Sequence, residues 1–425
     1  MKTTLLSLSV LLMALFMFET TNAQQTRDLQ YYRSPDKTGI NVFETSKETD
    51  VEFDGLKVRI GGANTLQFQA LQNDDDIPFQ LEPNFNLATS NLDIDVQLER
   101  GLRMHLRTYL SSRHHPEAWV KGGYLQVDRL DFISEGFAEN LMDKVTIKVG
   151  HMEINYGDAH FRRSDNGQAI YNPFVGNYLM DSFTTEAGGE VYYQSNGFLA
   201  MIGVTNGKLN QSTIAPDPAL DIGTNPAFVG KLGYDSQINE DLRVRLTGSI
   251  YTNSQAERFY LYAGDRAGGR YYNVISGSDF NARVVPGFAL SGRAPGGPIG
   301  GEMTAIMINP FVKFQGLEFF GIFENASGKR NSETDTRTFN QYAAEVLYRF
   351  GENENVYIGG RYNAVSGELP GGEEIDVTRF NIGGGWFLTN NVLTKVEYVT
   401  QNQDYSGATT DLGFSGLVIE AVVSF

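Results

Sequence analysis

The chain has 425 residues, no cysteine and a formal net charge of -17. Without cysteine there is neither a disulfide framework nor a thiolate metal site, and the acidic balance argues against nucleic acid, which selects a basic surface. After residue 23 no stretch approaches the ~20 apolar residues of a spanning helix, yet glycine (46 residues) and aromatics (12%) are both abundant.

The first 23 residues have the pattern of an export signal. Lys2 supplies a minimal positive start, Leu5 to Phe18 is an uncharged apolar run, and Thr21-Asn22-Ala23 offers small residues to a peptidase. The mature chain is expected to begin at Gln24. Residues 24–54 are polar, with Arg27, Asp36, Lys37 and Lys47 among Tyr31, Tyr32, Ile40 and Phe43. They predict a periplasmic lead-in that either folds back on a rim or partly plugs a lumen.

From residue 55 to 425 the chain predicts one all-β domain, a transmembrane antiparallel barrel of about sixteen strands. The runs fall near 55–71, 85–98, 102–112, 118–132, 144–154, 184–194, 198–208, 226–236, 241–253, 302–314, 317–327, 336–350, 355–367, 375–388, 392–403 and 411–425. Leu92-Asp93-Ile94-Asp95-Val96 and Leu242-Arg243-Val244-Arg245-Leu246 place an apolar residue at every second position. A soluble sandwich alternates too, so the connections decide. Short turns such as Glu99-Arg100-Gly101, Ser195-Asn196-Gly197, Gln315-Gly316 and Asn390-Asn391 alternate with long loops at 155–183, 209–225, 254–301 and 404–410. Short turns on one rim and long loops on the other mark an outer-membrane barrel. The turn at 133–143 is longer and predicts a helical turn. Hiding the lipid face at alternate residues also accounts for a mean hydropathy of only -0.28.

A sixteen-stranded barrel is too wide for its side chains to fill, so water occupies the centre. Alternation turns Lys57, Arg59, Arg103, Arg107, Lys148, Arg243, Arg245 and Arg361 toward the lumen together with Asp93 and Asp95, the latter two opposite Arg103 and Arg107. Such charges either stiffen the wall as ion pairs or set ion preference. The loop after the fifth strand, nearly thirty residues long, carries Asp158, His160, Arg162, Arg163 and Asp165. The 254–301 loop mixes arginines with Tyr260, Tyr262, Tyr271 and Tyr272, which suits a lid, a subunit contact or an anionic or sugar ligand. The adjacent His114 and His115 lie on a turn, where convergent metal ligands are rare. Neither a Gly-x-Ser-x-Gly elbow nor a His-Glu-x-x-His helix occurs, so no enzyme, metal or cofactor is expected.

The last strand ends Val422-Val423-Ser424-Phe425, and an aromatic terminus on an alternating strand resembles the sorting signal of bacterial outer-membrane proteins. The resemblance implies that the barrel-assembly machinery reads Phe425. With Gly150 to Asp158 followed by Arg162-Arg163, the chain resembles Gram-negative porins of the phosphate-selective O and P group from Bacteroidota-type bacteria. That resemblance implies an outer-membrane location among lipid and lipopolysaccharide, a homotrimer, and an inward-folded fifth-strand loop. It sets Asp158, His160, Arg162, Arg163 and Asp165 at the constriction; the competing arrangement keeps this loop outside the lumen. The implied activity is passive diffusion of small hydrophilic solutes or ions with modest anion preference. A substrate-specific transporter and a structural or assembly partner in an outer-membrane complex are the alternatives. A phosphate-selective eyelet is densely basic, whereas this loop is mixed.

Overall fold

The computed structural model describes residues 28–74, 76–114, 117–209, 223–264, 270–276, 282–289, 300–407 and 409–425. The export signal expected at 1–23 lies outside them. Sixteen antiparallel strands form the wall: β1 (Lys57–Asn73), β3 (Thr89–Glu99), β4 (Leu102–Ser111), β5 (Trp119–Val127), β6 (Val145–Glu153), β7 (Thr185–Ser195), β8 (Phe198–Thr205), β9 (Ala227–Gln237), β10 (Leu242–Ala256), β11 (Gly301–Phe314), β12 (Leu317–Arg330), β13 (Arg337–Phe350), β14 (Val356–Glu368), β15 (Glu374–Thr389), β16 (Val392–Tyr405) and β17 (Leu412–Ser424). β2 (Asn84–Phe85) is a two-residue strand on β1, inside a long 74–88 connection. Each long strand pairs with its successor. β1 closes the ring, pairing with β3 from Lys57↔Gln97 and with β17 from Ala63↔Ser424.

The turns explain the register. Asn196 (φ 51) and Gly197 (φ 82) are both left-handed, as a tight hairpin turn demands. The expected β5 run of 118–132 stops at Val127. Asp128 N–H turns to the carbonyl of Gly101 at 2.7 Å, and the side chain takes Lys47 at 2.8 Å. The long turn that follows holds the one-turn helix Glu139–Met142.

Burial alternates along the strands, completely so in β13. One set is outward and apolar. At the short-turn end it finishes in Phe198, Phe314, Tyr348, Phe350, Trp386 and Phe425, all large and exposed. Higher up, Phe323, Tyr342, Tyr362, Phe380 and Tyr398 form a second tier, above which Asn325 and Asn340 point out. Aromatics at two levels with aliphatic residues between are the surface of a barrel that spans lipid. The inward set is polar, and Arg361, Arg379, Glu345 and Glu397 are each 1% exposed. The wall is lopsided: β3 to β9 run 8 to 11 residues, β10 to β17 run 13 to 16. The taller arc supplies the surface against which the inner loops lie.

The seam at β1 depends on the last residue. Phe425 exchanges both backbone hydrogen bonds with Gly62, each 2.9 Å. Deleting Phe425 removes this pair and the last outward aromatic. The expected result is a lower yield of heat-resistant, folded barrel in the membrane fraction; an undiminished yield would count against a role in closure or assembly.

Candidate functional site: a lumen narrowed from inside

Residues 154–184 fold into the barrel and are almost wholly buried. Their backbone forms little regular structure, so its polar groups need partners from the wall. Lys395 donates to the carbonyls of Ala169, Asn172 and Phe174 at 2.9 to 3.0 Å. Arg361 and Arg379 donate to those of Gly176 and Asn177, both at 2.7 Å. Asn363 and Gln341 accept from the amides of Leu179 and Met180. At the loop's tip Gly167 lies against the β1–β3 wall, where a Cβ would come within 2.7 to 2.9 Å of Ala63 O, Ser90 Cα and Asn91 N. Only glycine permits that approach.

A second inward loop packs on the first. Tyr262 and Tyr271 donate to Glu324 (2.8 Å) and Glu397 (2.6 Å), and Val284 N–H reaches Leu179 O at 2.8 Å. The sequence admits a lid, a subunit contact or a ligand site for 254–301; its density of tyrosines, Tyr260, Tyr262, Tyr271 and Tyr272, is the one signal of inward packing it offers. Arg266 and Arg293 lie outside the described residues.

The third insertion is residues 28–53, which run around the inside of the short-turn mouth. Gln30 meets Gln97 and Gly101; Pro35 O accepts from Ser424; Lys37 N–H reaches Asn390 O. Asn41 then binds Glu318, Phe43 packs edge-on to Phe311 at 5.4 Å, and Glu44 pairs with Arg245 (2.6 Å) and Lys231 (3.0 Å). Lys47 reaches Asp128 and Val145 O before the chain enters β1. Burial alone would raise the Glu44 carboxyl, but Arg245 and Lys231 outweigh it and hold it well below the usual range. This hoop also supports the first loop from below: Arg33 donates to Phe161 O, and Ser34 O accepts from Tyr171.

The five residues assigned to one constriction divide. Asp158 is fully buried in the wall of β9 and β10, accepting from Arg245 Nε (2.8 Å), Arg245 Nη2 (2.9 Å) and Thr247 (2.8 Å), with Lys231 at 2.7 Å. Burial pushes its carboxyl up, but Arg245 and Lys231 pull it down to about 2. Arg162 points to the opposite shoulder, onto Glu318 (2.6 Å) and Glu345 of β12 and β13. Both side chains anchor the loop and lie off the open space. The 3-10 turn Ala159–Arg162 causes the split by aiming successive side chains in different directions. His160, Arg163 and Asp165 do face the open space.

That space lies on the low side of the wall, between the loop and β4 to β7, as a cavity of about 210 Å³. Six cations line it, Arg33, Arg103, Arg107, Lys121, Lys148 and Arg163, against three carboxylates, Glu44, Glu153 and Asp165. It shares Phe43, Glu44 and Gln194 with a vestibule of about 1410 Å³ at the short-turn mouth. Three of these cations are paired behind the lining, Arg107 with Asp93 (2.7 Å), Arg103 with Asp95 (2.8 Å) and Arg163 with Asp181 (2.6 Å); elsewhere on the inner face Arg243 pairs with Asp235 (2.7 Å). Arg361 pairs with Glu345 at 2.7 Å, Lys57 with Asp54 at 2.7 Å, and Arg59 stands 3.9 Å from Asp95. Lys148 faces inward as the alternation of β6 predicts, whereas Arg33 and Lys121 are absent from the predicted inward set; the inward phase of β5 is a signal for Lys121.

No family model matches the chain, and no curated protein matches it in sequence. Solved structures do match. OmpT, an outer membrane protein of Vibrio cholerae folded in vitro, gives a TM-score of 0.52 at 10% identity over 88% of this chain and 99% of that one. Its trimer form gives 0.52 at 10% identity, over 88% and 100%. An anion-selective porin from Comamonas acidovorans gives 0.53 at 10% identity, over 87% and 100%. At that identity the likeness is one of fold: a closed antiparallel barrel of the outer-membrane type.

Proposed function

We propose that this protein is a narrow outer-membrane diffusion channel for small hydrophilic solutes, with a modest preference for anions. The observation that carries the reading is the cavity beside the inner loop, where six cations face three carboxylates although the whole chain is acidic. Charge at the narrowest, least hydrated place sets ion preference, and charge on outer loops is screened over a Debye length of ~8 Å. The same cation excess is what supports the likeness to phosphate-selective porins. A homotrimer fits the low arc of short strands as the subunit contact. The reading assigns the barrel no catalytic role.

Lys148 is the side chain that tests it. It lies over the rings of Tyr192 (5.0 Å) and Tyr124 (5.7 Å) and forms no ion pair among the described residues. Lys148→Glu leaves five cations against four carboxylates. In a planar bilayer under a salt gradient, the zero-current potential should move toward cation preference. An unchanged potential would mean that the filter lies elsewhere. Absence of conductance steps from the unaltered protein would remove the channel reading and favour a structural role.

A further inference from the structure

We infer that the cavity is a saturable binding site for small organic anions that carry a carboxylate on a flat apolar body; the inference rests on the channel reading and deepens it. Three observations meet here. First, each carboxylate of the cavity already has a partner. Glu153 pairs with His160 at 2.7 Å, Asp165 lies 3.4 Å from Arg163 and 3.5 Å from Arg107, and Glu44 is held by Arg245 and Lys231. Second, two of its cations have no carboxylate partner among the described residues. Arg33 lies 3.7 Å over the ring of Tyr171 and 5.6 Å from that of Phe161, and Lys148 lies over Tyr192 and Tyr124. Third, four large apolar side chains, Phe43, Met152, Phe161 and Phe183, stand among the polar groups of the lining, where a simple ion filter needs no apolar surface.

Aromatic faces position these cations and displace part of their water without cancelling their charge. An incoming carboxylate therefore gains an ion pair in a confined space of low dielectric. A chloride ion gains only that. An anion with a planar body also buries apolar area against the phenylalanines and Met152, which adds to its binding. In such a site the charged and polar groups fix the orientation of the ligand and the apolar side chains add contact with its body. The cavity, about 210 Å³, has room for one ring with its charged group.

The test uses the full-length protein in detergent and in planar bilayers, with benzoate as the probe. Acetate carries the charge without the body, benzyl alcohol the body without the charge, and inorganic phosphate is the competing oxyanion. Benzoate should bind saturably in equilibrium dialysis and block chloride current over the same concentration range, while acetate and benzyl alcohol do neither at that range. Lys148→Gln and Arg33→Gln should each raise the half-saturating benzoate concentration about tenfold. Lys313→Gln, at a rim lysine paired with Glu354, should leave it unchanged. Equal block by acetate and benzoate overturns the proposal in favour of a plain charge filter. Stronger binding of phosphate than of benzoate overturns it in favour of an inorganic oxyanion site. Saturable benzoate binding by a barrel that does not conduct would support the site and defeat the channel reading. Conduction without saturable binding would do the reverse.

Discussion

Deletion of residues 28–53 behind an intact export signal is expected to raise single-channel conductance severalfold while the barrel still assembles. The segment circles the short-turn mouth and fills space that water would otherwise occupy, touching β3, β17, β12, β11, β10, β9, the turn after β5 and then β6. The ladder that closes the barrel runs strand to strand and does not pass through it. The deletion also removes the loop's lower supports, the bonds from Arg33 to Phe161 O and from Arg162 to the Asn41 amide oxygen. More open-channel noise should therefore accompany the larger steps. Heat-modifiable migration on a gel would establish that the barrel has formed. A folded deletion variant with unaltered conductance would show that the hoop is not what narrows the mouth.

Substitution of Asp158 by alanine is expected to loosen the constriction loop rather than alter selectivity directly. One buried carboxylate here serves Arg245, Lys231 and Thr247, and without it the two cations keep Glu44 as their shared close partner. Breaking a buried charge pair by removing one member typically costs about 3–5 kcal/mol. Hydrogen exchange at the amides of residues 155–165 should speed up in proportion, with the Asp158→Asn variant intermediate because it retains the bond to Thr247. The pH dependence has a definite sign. Asp158 is depressed to about 2 in the folded protein, against ~3.9 for an unperturbed aspartate. Its stabilisation is therefore fully present above about pH 4 and lost as pH falls toward 2. The unaltered loop should lose protection across that window, and the alanine variant should lack this step. Equal exchange in the two proteins at neutral pH would show that this cluster does not hold the loop.

The barrel was legible because its cause is local and repeated. An apolar residue at every second position can be counted along a strand such as Leu242 to Leu246, and Asn196-Gly197 fixes a hairpin by its own backbone preferences. The pairing of Asp93 with Arg107 was legible for the same reason, since adjacent strands joined by a tight turn have only one sensible register. The anchoring of the inner loop was not. Lys395 reaching Ala169 O spans 226 residues, and Arg162 reaching Glu345 spans 183. No periodicity relates such positions, and a loop of mixed charge reads the same whether its arginines face water or a wall carboxylate.

The sequence by itself determined the ring of strands, the polarity of each face and the rim on which the chain ends, because alternation and turn chemistry act between neighbours. Only the tertiary structure decided which charges remain available in the lumen. Two adjacent arginines, Arg162 and Arg163, are equivalent in sequence, yet the first reaches Glu318 and Glu345 on the wall while the second turns to Asp181 of its own loop and lines the cavity. Conversely Arg33, in a segment without strand character, becomes a cavity cation because the hoop carries it there. Which charge is spent and which is left depends on the wall each side chain meets once the barrel has closed, and that is a property of long-range packing alone.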